Sequence, residues 1–166
     1  AGAAPIVNIR LATTDLVGTP ISSIDVGQTF QLRGYVQDVR ESPLGVVAAY
    51  FDVVYDGSLA APMGQVVHSA PWDAVLSGDV SNVGQIEEVG ASNFFDTFGG
   101  DEWQLFHLDM LALNAGLVEF STNPADAGAI HYTLAHGLSV AIPPEDVIYG
   151  ATSLDIRAVP EPATAA

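Results

Sequence analysis

The segment from Gly27 to Tyr55 constrains the fold of this chain more than any other. Its first half alternates, with Phe30, Leu32, Gly34 and Val36 on one face and Gln31, Arg33, Tyr35 and Gln37 on the other. A period of two is that of a β-strand with one buried and one solvated face. The second half, Val46 to Tyr55, is apolar on both faces except for Asp52 and is rich in Val, Phe and Tyr. It reads as a central strand covered on both sides. Between the halves, Arg40-Glu-Ser-Pro-Leu-Gly45 carries the proline and glycine of a reversing loop.

The remaining chain repeats this rhythm in shorter pieces. Ile6 to Leu11 alternates and forms a first strand, Leu16 to Pro20 breaks it, and Ile21 to Val26 is a short extended lead-in. Tyr55-Asp-Gly-Ser-Leu59 turns the chain, and Ala60 to Asp79 is irregular, with only Gln65 to His68 strand-like between Pro62, Gly64, Pro71 and Gly78. Gln85 to Val89, Trp103 to Ala112, Leu117 to Ser121, Ile130 to Ala135 and Thr152 to Val159 follow as strands. In the longest of these, Phe106, Leu108, Met110 and Ala112 share one face, and Trp103, Leu105, His107, Asp109 and Leu111 the other. The glycine-bounded loop before it carries Phe94, Phe95 and Phe98, which read as a hydrophobic plug over one end of the core. About nine strands, no helix and many Gly or Pro turns predict an all-β fold, an antiparallel β-sandwich with jelly-roll-like connections. At 166 residues the chain is one domain, able to bury roughly 70% of its unfolded surface. We divide it into an extension over 1–5, the sandwich over 6–158 and a Pro-rich tail over 159–166.

Charge narrows the partners. Twenty acidic residues face four basic ones, Arg10, Arg33, Arg40 and Arg157, and the net charge of −16 repels nucleic acid and anionic membrane surfaces. No apolar run approaches the ~18 residues of a membrane span, so no membrane insertion is expected of the chain as given. Without cysteine there are no disulfides or thiolate metal sites, and without lysine no Lys-to-Asn cross-link can form. The opening Ala1-Gly-Ala-Ala-Pro5 is small-residue sequence of the kind left after signal cleavage.

Catalytic patterns are missing. There is no Gly-x-Ser-x-Gly elbow, no phosphate-cradling glycine loop, no His-Glu-x-x-His and no EF-hand loop. His107 with Asp109, and His131 with His136, are too sparse to make a metal site. Glu87-Glu88 and Asp101-Glu102 are read as solvated charge, because neighbouring carboxylates on a strand point to opposite faces and cannot act as a pair. Calcium is the one ion the sequence leaves room for, with Asp79, Asn82, Asp96, Asp101 and Glu102 in the irregular middle as oxygen donors; otherwise no cofactor is expected.

The order of segments resembles cohesin modules. The features that carry it are an opening strand, the Val26-Gly-Gln-Thr-Phe30 lead-in, the Gly45-Val-Val-Ala-Ala-Tyr-Phe-Asp-Val-Val-Tyr-Asp56 strand and the Leu105-Phe-His-Leu-Asp-Met-Leu-Ala112 strand. The ending Pro144-Glu-Asp-Val-Ile-Tyr-Gly-Ala-Thr-Ser-Leu154 is similar to that of cohesin-like domains in large secreted bacterial proteins. The resemblance spans about 6–158 and implies a non-catalytic sandwich that binds a protein, secreted or at the cell surface. The Pro71 to Asp101 segment is longer than the family pattern, so the resemblance carries over the fold and leaves dockerin open as the partner. The Val159-Pro-Glu-Pro162 core of the tail resembles the sorting motif of bacterial exported proteins, and also reads as an extended linker.

Two classes of function follow. A protein-binding module, with a protein partner or copies of itself assembling into a layer or filament, would use Tyr35 and Tyr50 as contact groups. Its ends, Ile6 and Val7 or Val159, Pro160 and Pro162, would lie along a partner's open sheet edge. A carbohydrate-binding module would instead need a flat aromatic platform, for which Trp72, Trp103 and Tyr132 are the candidates.

Overall fold

A computed structural model describes residues 4–94 and 99–161. These form thirteen strands: β1 (Val7–Thr14), β2 (Ser23–Asp25), β3 (Thr29–Asp38), β4 (Val46–Val54), β5 (Ala60–Pro62), β6 (Val67–His68) and β7 (Ala74–Asp79), then β8 (Gln85–Ser92), β9 (Trp103–Ala112), β10 (Gly116–Pro124), β11 (Leu134–Ala135), β12 (Val147–Tyr149) and β13 (Ala151–Arg157). The first sheet runs β12-β1-β3-β9-β5, with β6 also on β9; the second runs β2-β13-β10-β4-β8-β7, with β11 also on β4. The long neighbours pair antiparallel, and the two sheets make the expected all-β sandwich. No helix among the described residues is long and apolar enough to cross a membrane.

The two strands that dominate the sequence behave as their patterns require. Phe30, Leu32 and Val36 of β3 are buried between the sheets, and β4 is buried along its whole length except Val54. Gly34 shares the inner face of β3 because a Cβ there would lie 2.2 Å from the Phe106 ring. In β9 the alternation breaks once. A bulge opposite Gly34 and Tyr35 accommodates Leu105, so Gln104 rather than Trp103 faces outward, and Trp103 packs on the core.

The loop between β3 and β4 is organised by a residue outside its Pro and Gly signals. Asp38 ends β3, is 2% exposed and accepts hydrogen bonds from five donors. Its donors are Arg40 Nε at 2.9 Å and Nη2 at 2.6 Å, and the N–H groups of Arg40, Leu44 and Gly45. Arg40 Nη2 also donates to the His136 carbonyl at 2.8 Å, which ties the loop to the chain after β11.

The closing motif joins the sheets. Pro144–Asp146 makes one 3-10 turn, β12 then pairs parallel with β1 in the first sheet, and β13 pairs with β10 in the second. The chain changes sheets at Gly150. Its N–H donates to the Ile9 carbonyl at 3.0 Å, and its carbonyl accepts from the Thr122 hydroxyl at 2.7 Å.

Several expectations are corrected. Only Leu134–Ala135 of the expected Ile130 to Ala135 strand is extended. The N–H groups of Ile130 and His131 both reach the Ala127 carbonyl and curl the chain into a turn instead. Phe94 is half exposed rather than plugging the core, and Phe95 and Phe98 lie outside the described residues. Val7 is fully buried in β1, so it cannot lie along a partner's edge. Ile6 is half-buried, its N–H held by the Asp146 carbonyl, whereas Val159 and Pro160 are exposed and Pro162 lies outside the described residues.

Candidate functional site

The outer face of the first sheet is an ordered array across β1, β3 and β9. Register places Arg10 opposite Tyr35, Arg33 opposite His107 and Gln31 opposite Asp109. Arg10 grips Glu102 with two nitrogens, at 2.9 and 2.7 Å, and its guanidinium carbon stands 4.2 Å over the Tyr35 ring. A planar guanidinium suits both contacts at once, the carboxylate in its plane and the ring beneath it.

Arg33 anchors a second chain of contacts. Its Nε donates to Thr14 Oγ1 at 3.0 Å, one terminal nitrogen to Gln104 Oε1 at 2.8 Å and the other to Gln31 Oε1. Gln31 passes the link on to Asp109 at 2.8 Å, and Gln104 to the Ser69 hydroxyl at 2.9 Å. Among the described residues Arg33 makes no direct ion pair; its charge meets Asp109 only through Gln31. Side chains fixed in this way lose little further entropy when a partner docks.

The outer face of the second sheet is divided. Over β10 and β13 it is open, with Leu117, Glu119, Ser153 and Asp155 exposed. Over β4 and β8 it is covered. Tyr50 is 2% exposed and Asp52 is 8% exposed, although both point away from the core. The cover is 125–133, the link from β10 to β11.

A β-bulge sets up the contact with this cover. Glu87 and Glu88 both stand opposite Asp52, between the pairs Phe51 with Val89 and Val53 with Ile86. Glu88 takes φ of 55°, in the left-handed region, and its N–H donates to Asp52 Oδ1 at 2.7 Å. Its carboxylate accepts from the N–H groups of Asp126 and Ala127 and meets His131 Nδ1 at 2.7 Å. His131 stacks on Tyr50 with ring centroids 4.7 Å apart, and the Tyr50 hydroxyl donates to the Val75 carbonyl at 2.6 Å. The bulge corrects the reading of Glu87-Glu88 as plain solvated charge on opposite faces. Glu87 lines a cavity of about 230 Å³ with Asp52 and Asp126, while the Glu88 carboxylate turns to the same two residues.

Burial and partners move these carboxyls in opposite directions. Burial pushes Asp52 above the usual carboxylate range against its bond from the Glu88 N–H, and Asp126, Glu88 and Glu87 add to the rise. Burial would raise Glu88 as well, but His131 and the N–H groups of Ala127 and Asp126 outweigh it and bring Glu88 below that range.

The expected site residues are scattered. Tyr35 faces outward under Arg10, as read. Tyr50 and Trp72, each 2% exposed, present no ring to a partner, which corrects their placement as contact groups. Tyr132 lies half-buried in a cavity of about 240 Å³ with Tyr50, His131 and Tyr149, and Trp103 is turned to the core, so Trp72, Trp103 and Tyr132 share no flat platform. The calcium set is likewise dispersed. Glu102 is held by Arg10, Asp79 accepts the Ser81 N–H, Asn82 donates to Glu87, and Asp96 lies outside the described residues. Asp101 is exposed beside Glu102. Among the described residues the one group of three acids or histidines with ligand atoms within 4.8 Å is Asp52, Glu88 and Asp126. The sequence held one sign of it, the lone carboxylate in an otherwise apolar strand.

No protein-family model matches the chain, and no curated protein sequence matches it. Solved structures do. A cohesin module of a family 33 glycoside hydrolase from Clostridium perfringens superposes with a TM-score of 0.66 at 10% identity, over 94% of this chain and 100% of that one. The seventh ScaB type I cohesin of Pseudobacteroides cellulosolvens gives 0.64 at 12% identity, over 97% and 98%. A type I cohesin–dockerin complex from Clostridium thermocellum gives 0.60 at 12% identity, over 90% and 99%. The fold is therefore cohesin-like from end to end of the sandwich.

Proposed function

We propose that this domain is a non-catalytic protein-binding module, secreted or displayed at the cell surface, that meets its partner on the outer face of β1, β3 and β9. The observation that carries the proposal is the Arg10–Tyr35 stack within a face whose polar side chains are already fixed to one another. Arginine and tyrosine are, with tryptophan, the residues enriched at the energetic centre of protein interfaces. Cohesins from Acetivibrio cellulolyticus and Clostridium thermocellum, solved with dockerins bound, lend the reading a precedent for the class of partner. Copies of this chain, each carrying −16, repel one another, so a different protein is placed ahead of self-assembly. The buried Trp72 and Tyr50 rings weigh against the carbohydrate alternative.

The test is capture on immobilised domain from the culture medium of the organism that makes it, side by side with Tyr35→Ala and Arg10→Ala. A protein held by the wild type is expected to bind the variants at least about ten-fold more weakly, about 1.4 kcal/mol, while their thermal midpoints stay close to wild type. Equal retention by all three places the binding surface elsewhere.

A further inference from the structure

Away from that face, one segment is fastened to the sandwich by very little. Residues 125–133 cross the outer side of β4 and β8 without joining either sheet. Their own backbone bonds, from the Ile130 and His131 N–H groups to the Ala127 carbonyl, close a turn inside the segment. Ala125, Ala127, Gly128 and Ala129 bring little apolar surface, and Ile130 is 64% exposed. Among the described residues its polar attachment to the sheet is one side chain, Glu88, which accepts from Asp126, Ala127 and His131, while its last residue is tied to the chain beyond β11 by the Ile142 N–H, which donates to the Thr133 carbonyl at 2.8 Å. The other attachment is the His131 ring on Tyr50.

We propose that residues 125–133 are a releasable cover, latched by the Glu88 carboxylate, that gates access to Tyr50 and Asp52 on the outer face of β4 and β8. Segments with few buried apolar contacts open locally at a fraction of the cost of global unfolding. What keeps this one closed is concentrated in a residue that a bulge has turned out of the strand's alternation. A left-handed conformation is disfavoured at a non-glycine position and persists where surrounding contacts over-determine it. Here those contacts are the three strap donors and the Asp52 carboxylate that holds the Glu88 N–H. Lifting the cover presents an aromatic ring beside a carboxylate on the central strand of the sheet. That surface is separate from the Arg10–Tyr35 face.

The test is Glu88→Asn in the whole domain. Asparagine tolerates the left-handed conformation, so the bulge keeps its shape, but its side chain is one methylene too short to reach the strap. Hydrogen exchange of the Asp126 and Ala127 amides is expected to rise at least ten-fold while the amides of the β3–β9 ladder keep their wild-type rates. Tyr50, 2% exposed, is expected to resist tetranitromethane in the wild type and to become nitrated in the variant. Glu88→Gln retains an acceptor for the two amides and should fall between the two. Unchanged exchange at Asp126 and Ala127, acceleration spread evenly through both sheets, or a Tyr50 that stays unreactive in Glu88→Asn would each overturn the proposal.

Discussion

Asp38→Ala is expected to lower the unfolding free energy of this domain by about 3–5 kcal/mol, the usual effect of removing one partner from a buried ion pair. In a domain of this size that is a fall of roughly 10 °C in thermal midpoint. The carboxylate is shielded from solvent and satisfies three backbone N–H groups as well as the Arg40 guanidinium. Its loss leaves Arg40 with the His136 carbonyl and leaves the Leu44 and Gly45 amides without their acceptor. Burial by itself would raise the Asp38 carboxyl, but Arg40 and the Gly45, Leu44 and Arg40 N–H groups outweigh it and lower it from 3.8 to about 2. A pKa lower in the folded than in the unfolded state stabilises the fold above about pH 4, and that contribution, about 2 kcal/mol, disappears as pH falls through 2. Chemical denaturation across pH 2 to 6 should therefore show a steeper acid slope in the wild type than in Asp38→Ala, which keeps only the part owed to other lowered carboxyls such as Glu88. A loss under 1 kcal/mol would mean that the loop is held by its Pro and Gly geometry alone.

Gly150→Ala should cost about 1–3 kcal/mol, the range for forcing an extra carbon into a filled site. The new Cβ would lie 2.5 Å from the Ile9 carbonyl oxygen, the atom that accepts the Gly150 N–H. Relief requires β12 and β1 to separate, and with them the point where the chain passes between sheets. Gly128→Ala is the control, since a Cβ at that position meets nothing within 4 Å. Its unfolding free energy in urea should stay within about 0.5 kcal/mol of wild type. Equal midpoints for the two variants would remove Gly150 from its place as the joint of the sandwich.

What the sequence made legible divides along physical lines. β3, β4 and β9 were readable because a long strand with one or two buried faces writes its period into the residues themselves, and the bounds of β9 agree end to end. β5, β7 and β12 were not, because three- to six-residue edge strands take their conformation from the neighbour they pair with. Tyr35 could be placed outward by alternation, whereas Tyr50 is on an outward position too and is buried by a segment more than seventy residues later. The Glu88 bulge has no glycine to announce it, so the assumption of strict alternation sent Glu87 and Glu88 to opposite faces. Asp52 was the one visible irregularity in its strand, and its partner turned out to be that bulge.

The open face of the first sheet is tested most directly by hydroxyl-radical footprinting of the domain, free and bound to the protein it captures. Protection at Arg10, Tyr35 and His107, with Leu117 and Ser153 on the other sheet unchanged, is the predicted result. Protection of Leu117 and Ser153 with Tyr35 left as reactive as in the free domain would contradict it.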